Sequence, residues 1–134
     1  MNPVALVCVT VLGLLLFGLG LAVSALRGSR RMLHGHPADP ADLLHKVVRA
    51  QANTAEYAPM LAVLMLSLGS HPSAAWVPWA MALTTACRVL IVAGLVLGPT
   101  MARPHPLRFI GALGTYVGGV ALCLALVFTL FTGL

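Results

Sequence analysis

Three charged residues lie inside segments that are otherwise apolar enough to cross a membrane: Arg49, Glu56 and Arg88. A charged side chain at the centre of a bilayer costs about 2.5–3.5 kcal/mol on insertion scales. Such residues persist where they pair with one another or line a polar cavity, and they mark functional sites. We therefore expect the function of this chain to depend on the helices that carry these three residues.

The composition excludes an ordinary soluble domain. Hydrophobic residues make up 60% of the 134 residues and charged residues 8%, with a mean hydropathy of +0.98, whereas a soluble domain has roughly 25% charged residues. Four windows are long enough to span a bilayer, which takes about 20 residues each. They cover residues 2–26, 45–68, 74–97 and 107–134. The sequence therefore predicts an all-α integral membrane protein, with one domain (1–134) of four spans.

The basic residues outside the apolar windows are confined to two connections. The first connection, 27–44, carries three arginines, and the third, 98–106, carries Arg103 with Arg108 just beyond it. The second connection and both terminal tails have no Lys or Arg. Because basic loops face the cytoplasm, we predict that the first and third connections are cytoplasmic and that both termini lie outside. The net charge of +5 then reflects topology and lipid headgroups. We predict no nucleic-acid partner, since the sequence has no basic stripe with stacking aromatic residues.

The cysteines and histidines do not indicate a metal site or a disulfide. Cys8, Cys87 and Cys123 all lie in apolar windows, and no C-x-x-C pair is present. The five histidines fall in loops or at the membrane interface, too isolated for a zinc site with three or four ligands. We predict that the protein binds no metal.

Glycines and prolines predict where the helices end and where they pack. Glycine and proline residues make the first connection a loop, namely Gly28, Gly35, Pro37 and Pro40. In the third and fourth windows, glycines four residues apart permit close approach of two helices. These are the pairs Gly94/Gly98 and Gly114/Gly118, with Gly111 and Gly119 alongside.

Arg49, Asn53 and Glu56 are spaced by four and then three residues, which places them on one face of a helix. Glu56 lies about 10 Å further along the helix axis than Arg49, at a rise of about 1.5 Å per residue. A guanidinium, an amide and a carboxylate along one face suit a zwitterionic peptide ligand. The alternative is that the groups satisfy one another, with Arg49 bonded to Asn53 and Glu56 paired with Arg88. The residues alone leave both interpretations open.

The segment Arg49–Pro59, RAQANTAEYAP, resembles the R-x-x-x-N-x-x-E-x-x-P signature of the MAPEG family, the membrane-associated proteins of eicosanoid and glutathione metabolism. It is most similar to the cysteinyl-leukotriene synthase and microsomal glutathione transferase branch. The four spans, the polar first connection and the arginine in Cys87-Arg88-Val89 extend the resemblance over the whole chain. The resemblance implies a four-helix up-down bundle that assembles as a homotrimer. Glutathione would bind between subunits, near the cytoplasmic ends of the helices.

The resemblance also implies roles for individual residues. Arg108, in Pro106-Leu107-Arg108, is similar to the fourth-span arginine that stabilises the glutathione thiolate in family enzymes, and Arg103 is the alternative. Leu95 and Phe109 stand where some relatives have a tyrosine and a serine, so the resemblance does not specify the lipid substrate. Six residues match positions that bind glutathione in the family: Arg27, Arg49, Asn53, Glu56, Tyr57 and Arg88.

The function that the resemblance implies is a glutathione-dependent transferase or peroxidase acting on hydrophobic electrophiles. Glutathione is then the co-substrate and a lipid-like molecule the second substrate, with membrane lipids around the trimer. A guanidinium beside a thiol favours the thiolate, which is the attacking nucleophile. The alternative is a non-catalytic lipid-binding or scaffold protein of the same fold, because one relative keeps the bundle without enzymatic activity.

Overall fold

The computed structural model describes residues 1–132, which form four helices and no strand. The helices are α1 (Pro3–Ser29), α2 (Leu43–Gly69), α3 (Trp76–Val96) and α4 (Pro106–Thr132). The prediction of an all-α chain with four long helices is therefore confirmed, with boundaries that differ by a few residues. Residues 133 and 134, which the predicted fourth window included, lie outside the described residues.

Local chemistry explains where the helices begin. Asn2 caps α1, because its Oδ1 accepts the Val4 N–H at 2.9 Å. Asp42 caps α2 in the same way, because Oδ1 accepts the N–H groups of Leu44 and His45 at 2.8 and 3.2 Å. Such caps satisfy amide groups that have no partner inside the first helical turn. The fourth helix begins at Pro106, whose missing N–H is no loss at that position.

The first connection begins later than the glycines predict. The prediction of a loop at Gly28 is wrong, since α1 continues through Ser29. The N–H of Arg30 still bonds to the Leu26 carbonyl at 3.2 Å, so the hydrogen-bond ladder runs past the glycine and offsets its low helix propensity. The chain then leaves the helix at Arg31, which has a left-handed φ of 54°.

Three of the four helices are long and apolar enough to cross a membrane: α1, α3 and α4. The second helix has 27 residues, which is sufficient length, but it is less apolar because it carries Lys46, Arg49 and Glu56. The chain is therefore an integral membrane protein in which three spans accompany a more polar fourth helix. The polar side chains of α2 need a partner other than lipid.

The third and fourth helices pack almost backbone to backbone. A Cβ added at Gly111 would lie 2.6 Å from the Ile91 nitrogen and 2.8 Å from the Cys87 carbonyl oxygen. A Cβ added at Gly94 would lie 2.8 Å from the Arg108 nitrogen. Gly114 and Gly118 also face α3, whereas Gly119 does not. The predicted close approach is thus confirmed for α3 and α4, and it fixes the position of Arg108 on the first turn of α4.

Hydrogen bonds join the third connection to the first connection and to α2 at one end of the bundle. The Met101 N–H donates to the Pro40 carbonyl at 2.9 Å, and the Lys46 ammonium donates to the Gly98 carbonyl at 3.1 Å. Within the first connection, Arg30 donates to Asp42 at 2.6 Å, and this bond holds the pKa of the Asp42 carboxyl below its ordinary value. The two basic connections therefore lie on one side of the protein. That this side faces the cytoplasm remains a prediction.

Candidate functional site

A cavity of about 350 Å³ lies between α2, α3, α4 and the third connection, at the basic end of the bundle. Among the described residues, its wall contains two guanidinium groups and no carboxylate. The wall therefore carries a net positive charge, which suits an anionic ligand. The polar lining residues are Arg49, Asn53, His105 and Arg108, and the apolar ones are Ile91, Leu95, Met101, Pro104, Phe109 and Ala112.

The second helix contributes Arg49 and Asn53 to this cavity. They lie one turn apart, as the spacing predicts. The Arg49 side chain is exposed and forms no hydrogen bond or ion pair within residues 1–132, while Asn53 is half-buried. An exposed guanidinium without a partner in the described chain is available to bind a ligand carboxylate.

The fourth helix contributes Arg108 from its first turn. Its Nη1 donates to the carbonyl oxygens of Met101 at 3.1 Å and Arg103 at 3.2 Å. These bonds hold the guanidinium in the cavity wall while its Nε and Nη2 form no bond to any residue of the described part of the chain. The alternative residue, Arg103, is exposed and does not line the cavity. Of the two candidate arginines, Arg108 is the one that lines the cavity.

Arg88 lies behind the cavity and is almost completely buried, with 1% of its surface exposed. Its Nη2 donates to both oxygens of Asn53, to the backbone carbonyl at 3.0 Å and to Oδ1 at 2.9 Å. The guanidinium also lies over the Tyr57 ring, 5.2 Å from the ring centre. Arg88 therefore orients the Asn53 amide, so that its NH₂ group is left for a ligand.

The sequence also allowed the interpretation that the polar groups bond to one another and bind no ligand. The contacts that this interpretation requires are not formed within residues 1–132. Arg49 does not bond to Asn53, and Glu56 forms no ion pair with Arg88. The one ion pair within residues 1–132 is that of Arg30 with Asp42 in the first connection. The buried guanidinium of Arg88 is thus held by the side-chain amide and backbone carbonyl of Asn53 and by the Tyr57 ring, and not by a carboxylate.

We expect the Arg88→Met variant to fold but to bind anionic ligands at the cavity at least about tenfold more weakly. Burial of a cation without a counter-ion is costly, so loss of the charge offsets part of the cost of leaving Asn53 Oδ1 without its donor, about 1–3 kcal/mol; the Asn53 carbonyl keeps its partner in the helix. The Asn53 amide would lose the donor that orients it. Thermal unfolding in detergent and calorimetric titration with glutathione separate the two effects. A variant that binds as tightly as the unmodified protein would contradict the positioning role.

A second cavity of about 360 Å³ lies between α2 and α4, further from the basic end. Glu56 and Tyr57 line it, together with Tyr116 from α4, and the two tyrosine hydroxyls are 3.5 Å apart. The Glu56 side chain is exposed. Apart from these polar groups, the lining is mostly apolar: Met60, Leu61, Leu64, Thr115, Gly119, Val120 and Cys123.

The single chain brings some of the predicted residues together and leaves others apart. Arg49, Asn53 and Arg108 line the first cavity with Arg88 behind them, and Glu56 and Tyr57 line the second. Arg27 lines neither, because its Nε donates to the Gly35 carbonyl at 3.1 Å in the first connection.

His105 is a residue of this site that the sequence analysis missed, because it treated all histidines as loop or interface residues. The imidazole lines the first cavity, and its Nδ1 is buried without a hydrogen-bond partner in the described chain. The signal that was available is its spacing: His105 precedes Arg108 by three residues at the start of α4. Residues three apart lie on the same side of a helical turn. No group of three or more His, Cys, Asp or Glu within residues 1–132 is arranged to hold a metal.

Comparison with known proteins gives one match. The model of the MAPEG family matches residues 5–128, a range that contains all four helices apart from their extreme ends and every residue of both cavities. No curated protein and no solved structure matches the chain.

Proposed function

Because the chain belongs to the MAPEG family, we propose that it is a membrane-embedded, glutathione-dependent transferase or peroxidase that acts on hydrophobic electrophiles. The observation that carries this proposal is the convergence of Arg49, Asn53 and Arg108 on one cavity with no carboxylate among its described lining residues. Glutathione is a tripeptide with two carboxylates, one ammonium group and one thiol. A cavity with two permanent cations matches its excess of negative charge.

The polar residues of α2 suit the binding of the tripeptide. A guanidinium binds a carboxylate with two parallel hydrogen bonds, which gives Arg49 its role. Asn53, oriented by Arg88, offers its NH₂ to a peptide carbonyl. Glu56, in the wall of the second cavity, offers its carboxylate to an ammonium group that extends along α2 out of the first cavity. The cavity volume of about 350 Å³ lies within the range of about 300–1,000 Å³ of small-molecule sites.

Arg108 is the residue that favours the reactive form of the thiol. A cysteine thiol in a model peptide has a pKa near about 8.5, and an adjacent permanent cation lowers this value because it stabilises the thiolate. A guanidinium suits the role since it stays charged at any physiological pH. The thiolate sulfur then forms a bond to the electrophilic carbon, and the leaving group departs with the electron pair of the bond that breaks.

The hydrophobic substrate is proposed to enter from the bilayer. The second cavity, with its mostly apolar lining along α2 and α4, offers such a molecule a place beside the glutathione site. We propose lipid-like electrophiles as the substrate class, because a molecule that partitions into the bilayer is concentrated at the depth of these helices.

We propose that the active form is a homotrimer. Arg49 and Glu56 are both exposed in the single chain, although they belong to a helix that crosses the membrane with three apolar ones. Charged groups in this position face another polar surface and not lipid. A neighbouring subunit that covers α2 would supply that surface, and it would also bring an Arg27 from a second chain towards the site. We place the basic end of the bundle in the cytoplasm, where glutathione is available.

The test is calorimetric titration of glutathione into the protein in detergent. Arg49→Ala and Glu56→Ala are each expected to abolish measurable binding, because each removes the partner of one charged group of the tripeptide. Arg103→Ala is the matched control, since it removes an exposed cation from the same end of the protein without touching the cavity. Unchanged affinity in both cavity variants would contradict the proposed function.

A non-catalytic lipid-binding or scaffold protein is the second candidate. The apolar lining of the second cavity favours it, because such a cavity can hold a lipid whether or not glutathione binds. Conjugation of glutathione to a chloronitrobenzene separates the two candidates. The enzyme produces the conjugate and chloride, and a protein that holds lipid without forming the conjugate is of the second kind.

A further inference from the structure

We propose that His105 is the proton acceptor for the thiol in the first cavity. This inference rests on the proposed function of that cavity. When the thiolate forms, the S–H bond breaks, the electron pair stays on sulfur, and the proton must go to a group within reach. The structure offers one such group among the described lining residues.

The chemistry of the lining residues selects His105. Arg49 and Arg108 are permanently charged and have no proton-accepting atom. The amide of Asn53 does not take up a proton near neutral pH, and the other six lining residues are apolar. An imidazole is the side chain that ordinarily exchanges a proton between about pH 5 and 8. A thiol bound in this cavity therefore meets one side chain that can receive its proton.

Backbone hydrogen bonds place His105 at the start of α4, three residues before Arg108, and both side chains line the cavity. The His105 carbonyl accepts the N–H of Arg108 at 3.0 Å and that of Phe109 at 3.2 Å, which fixes it at the start of α4. Its ring packs against Gly98, where an added Cβ would lie 3.6 Å from the ring carbon Cδ2. The proton acceptor and the thiolate-stabilising cation are thus carried by the same helical turn.

The buried Nδ1 is the second observation that points to a ligand. Buried polar atoms in proteins almost always have a hydrogen-bond partner, and an exception requires an explanation. Nδ1 of His105 has none within residues 1–132. A small movement of the ring on ligand binding would give this nitrogen a partner.

The cations around His105 stabilise the thiolate but oppose the imidazolium, so transfer inside the cavity depends on the pairing of the new anion with the new cation. Arg49 on α2 and Arg108 on α4 line the same cavity, Lys46 bonds to the adjacent Gly98 carbonyl, and Arg103 lies in the same connection. Transfer from a neutral thiol to a neutral imidazole leaves the net charge of the site unchanged and creates an adjacent anion and cation. After the thiolate has reacted, the imidazolium returns its proton to water.

The experiment counts protons released when glutathione binds to the full-length protein in detergent. Calorimetry in buffers of different ionisation enthalpy gives this number, and ultraviolet absorbance gives the amount of thiolate. As the pH is raised from about 5 to 8, the number of protons released per thiolate by the unmodified protein is expected to fall below one, because a neutral imidazole keeps the proton in the site. The His105→Gln variant should release about one proton per thiolate at every pH in this range. Its rate of glutathione conjugation at pH 7 should be about 10²-fold lower. Its affinity for glutathione should stay within about twofold of that of the unmodified protein. His34→Gln, an exposed histidine of the first connection, is the matched control.

Three outcomes would overturn the assignment. A proton count in the unmodified protein that stays at one per thiolate across this range would exclude His105 as the acceptor, whatever the variants do. A His105→Gln variant with an unchanged count and an unchanged pH–rate profile would exclude it as well. Absence of glutathione binding in the unmodified protein would overturn the proposed function first, and this inference with it. If His105→Gln does not fold, the pH dependence in the unmodified protein decides alone.

Discussion

Arg108→Ala is expected to lower the rate of glutathione conjugation by about 10²–10³-fold, the loss typical of removing a fixed group that stabilises developing negative charge. The guanidinium lines the cavity and is held there by the carbonyl groups of Met101 and Arg103. Its loss leaves the thiolate with one cation, Arg49, near the tripeptide. The measurement is kcat for chloronitrobenzene conjugation, with glutathione at saturation so that weaker binding does not enter.

Arg103→Ala is the matched control for this prediction. It removes the same charge five residues earlier, from the third connection, but the Arg103 side chain is exposed and outside the cavity. We expect its kcat to stay within about twofold of that of the unmodified protein, because the Arg103 side chain is exposed and its charge is screened by solvent and salt. If Arg103→Ala lost activity and Arg108→Ala kept it, the assignment of the two arginines would be reversed.

Gly111→Ala is expected to destabilise the bundle by about 1–3 kcal/mol, the usual cost of overpacking, or to prevent folding. The added methyl group would lie 2.6 Å from the backbone nitrogen of Ile91 and 2.8 Å from the carbonyl oxygen of Cys87. Because these are backbone atoms, no change of rotamer relieves the contact, and α3 and α4 must separate. Thermal unfolding in detergent measures the effect.

Gly119→Ala on the same helix provides the comparison. The nearest atom to its added Cβ is Cδ2 of Leu61, at 3.8 Å, which is an ordinary contact. Alanine is also the better helix former, by about 0.8–1.0 kcal/mol, so this variant should be at least as stable as the unmodified protein. Equal stability of the two alanine variants would show that α3 and α4 do not approach as closely as described.

The helices and their close packing could be predicted from the sequence, because both depend on amino-acid composition and on short-range spacing. Apolar length predicts the spans, and the Gly94 and Gly111 positions predict close helix approach. The end of α1 was missed because a glycine in the last turn of a helix and one just beyond it look alike in the sequence. Only the continuing hydrogen bond from Arg30 to Leu26 distinguishes them.

The site could be predicted only in part from the sequence. Helical spacing shows which residues share a face of a helix, but it does not show which element packs against that face. Arg49 and Asn53 do share a cavity, as the spacing suggests. The partner of Arg88 depends on how α2 and α3 are rotated about their axes, and the amide of Asn53 occupies the place expected for Glu56. His105 joins the site because the third connection is bonded to the first connection through Met101–Pro40 and to α2 through Gly98–Lys46, which are contacts between distant segments.

The most direct test of this account is the ultraviolet difference absorbance of the thiolate when glutathione is added to the protein at neutral pH. We predict a thiolate signal that saturates with glutathione concentration in the unmodified protein, and its loss in Arg108→Ala while calorimetry still detects bound glutathione. Saturable glutathione binding with no thiolate signal, or an equal signal in Arg108→Ala, would contradict the account.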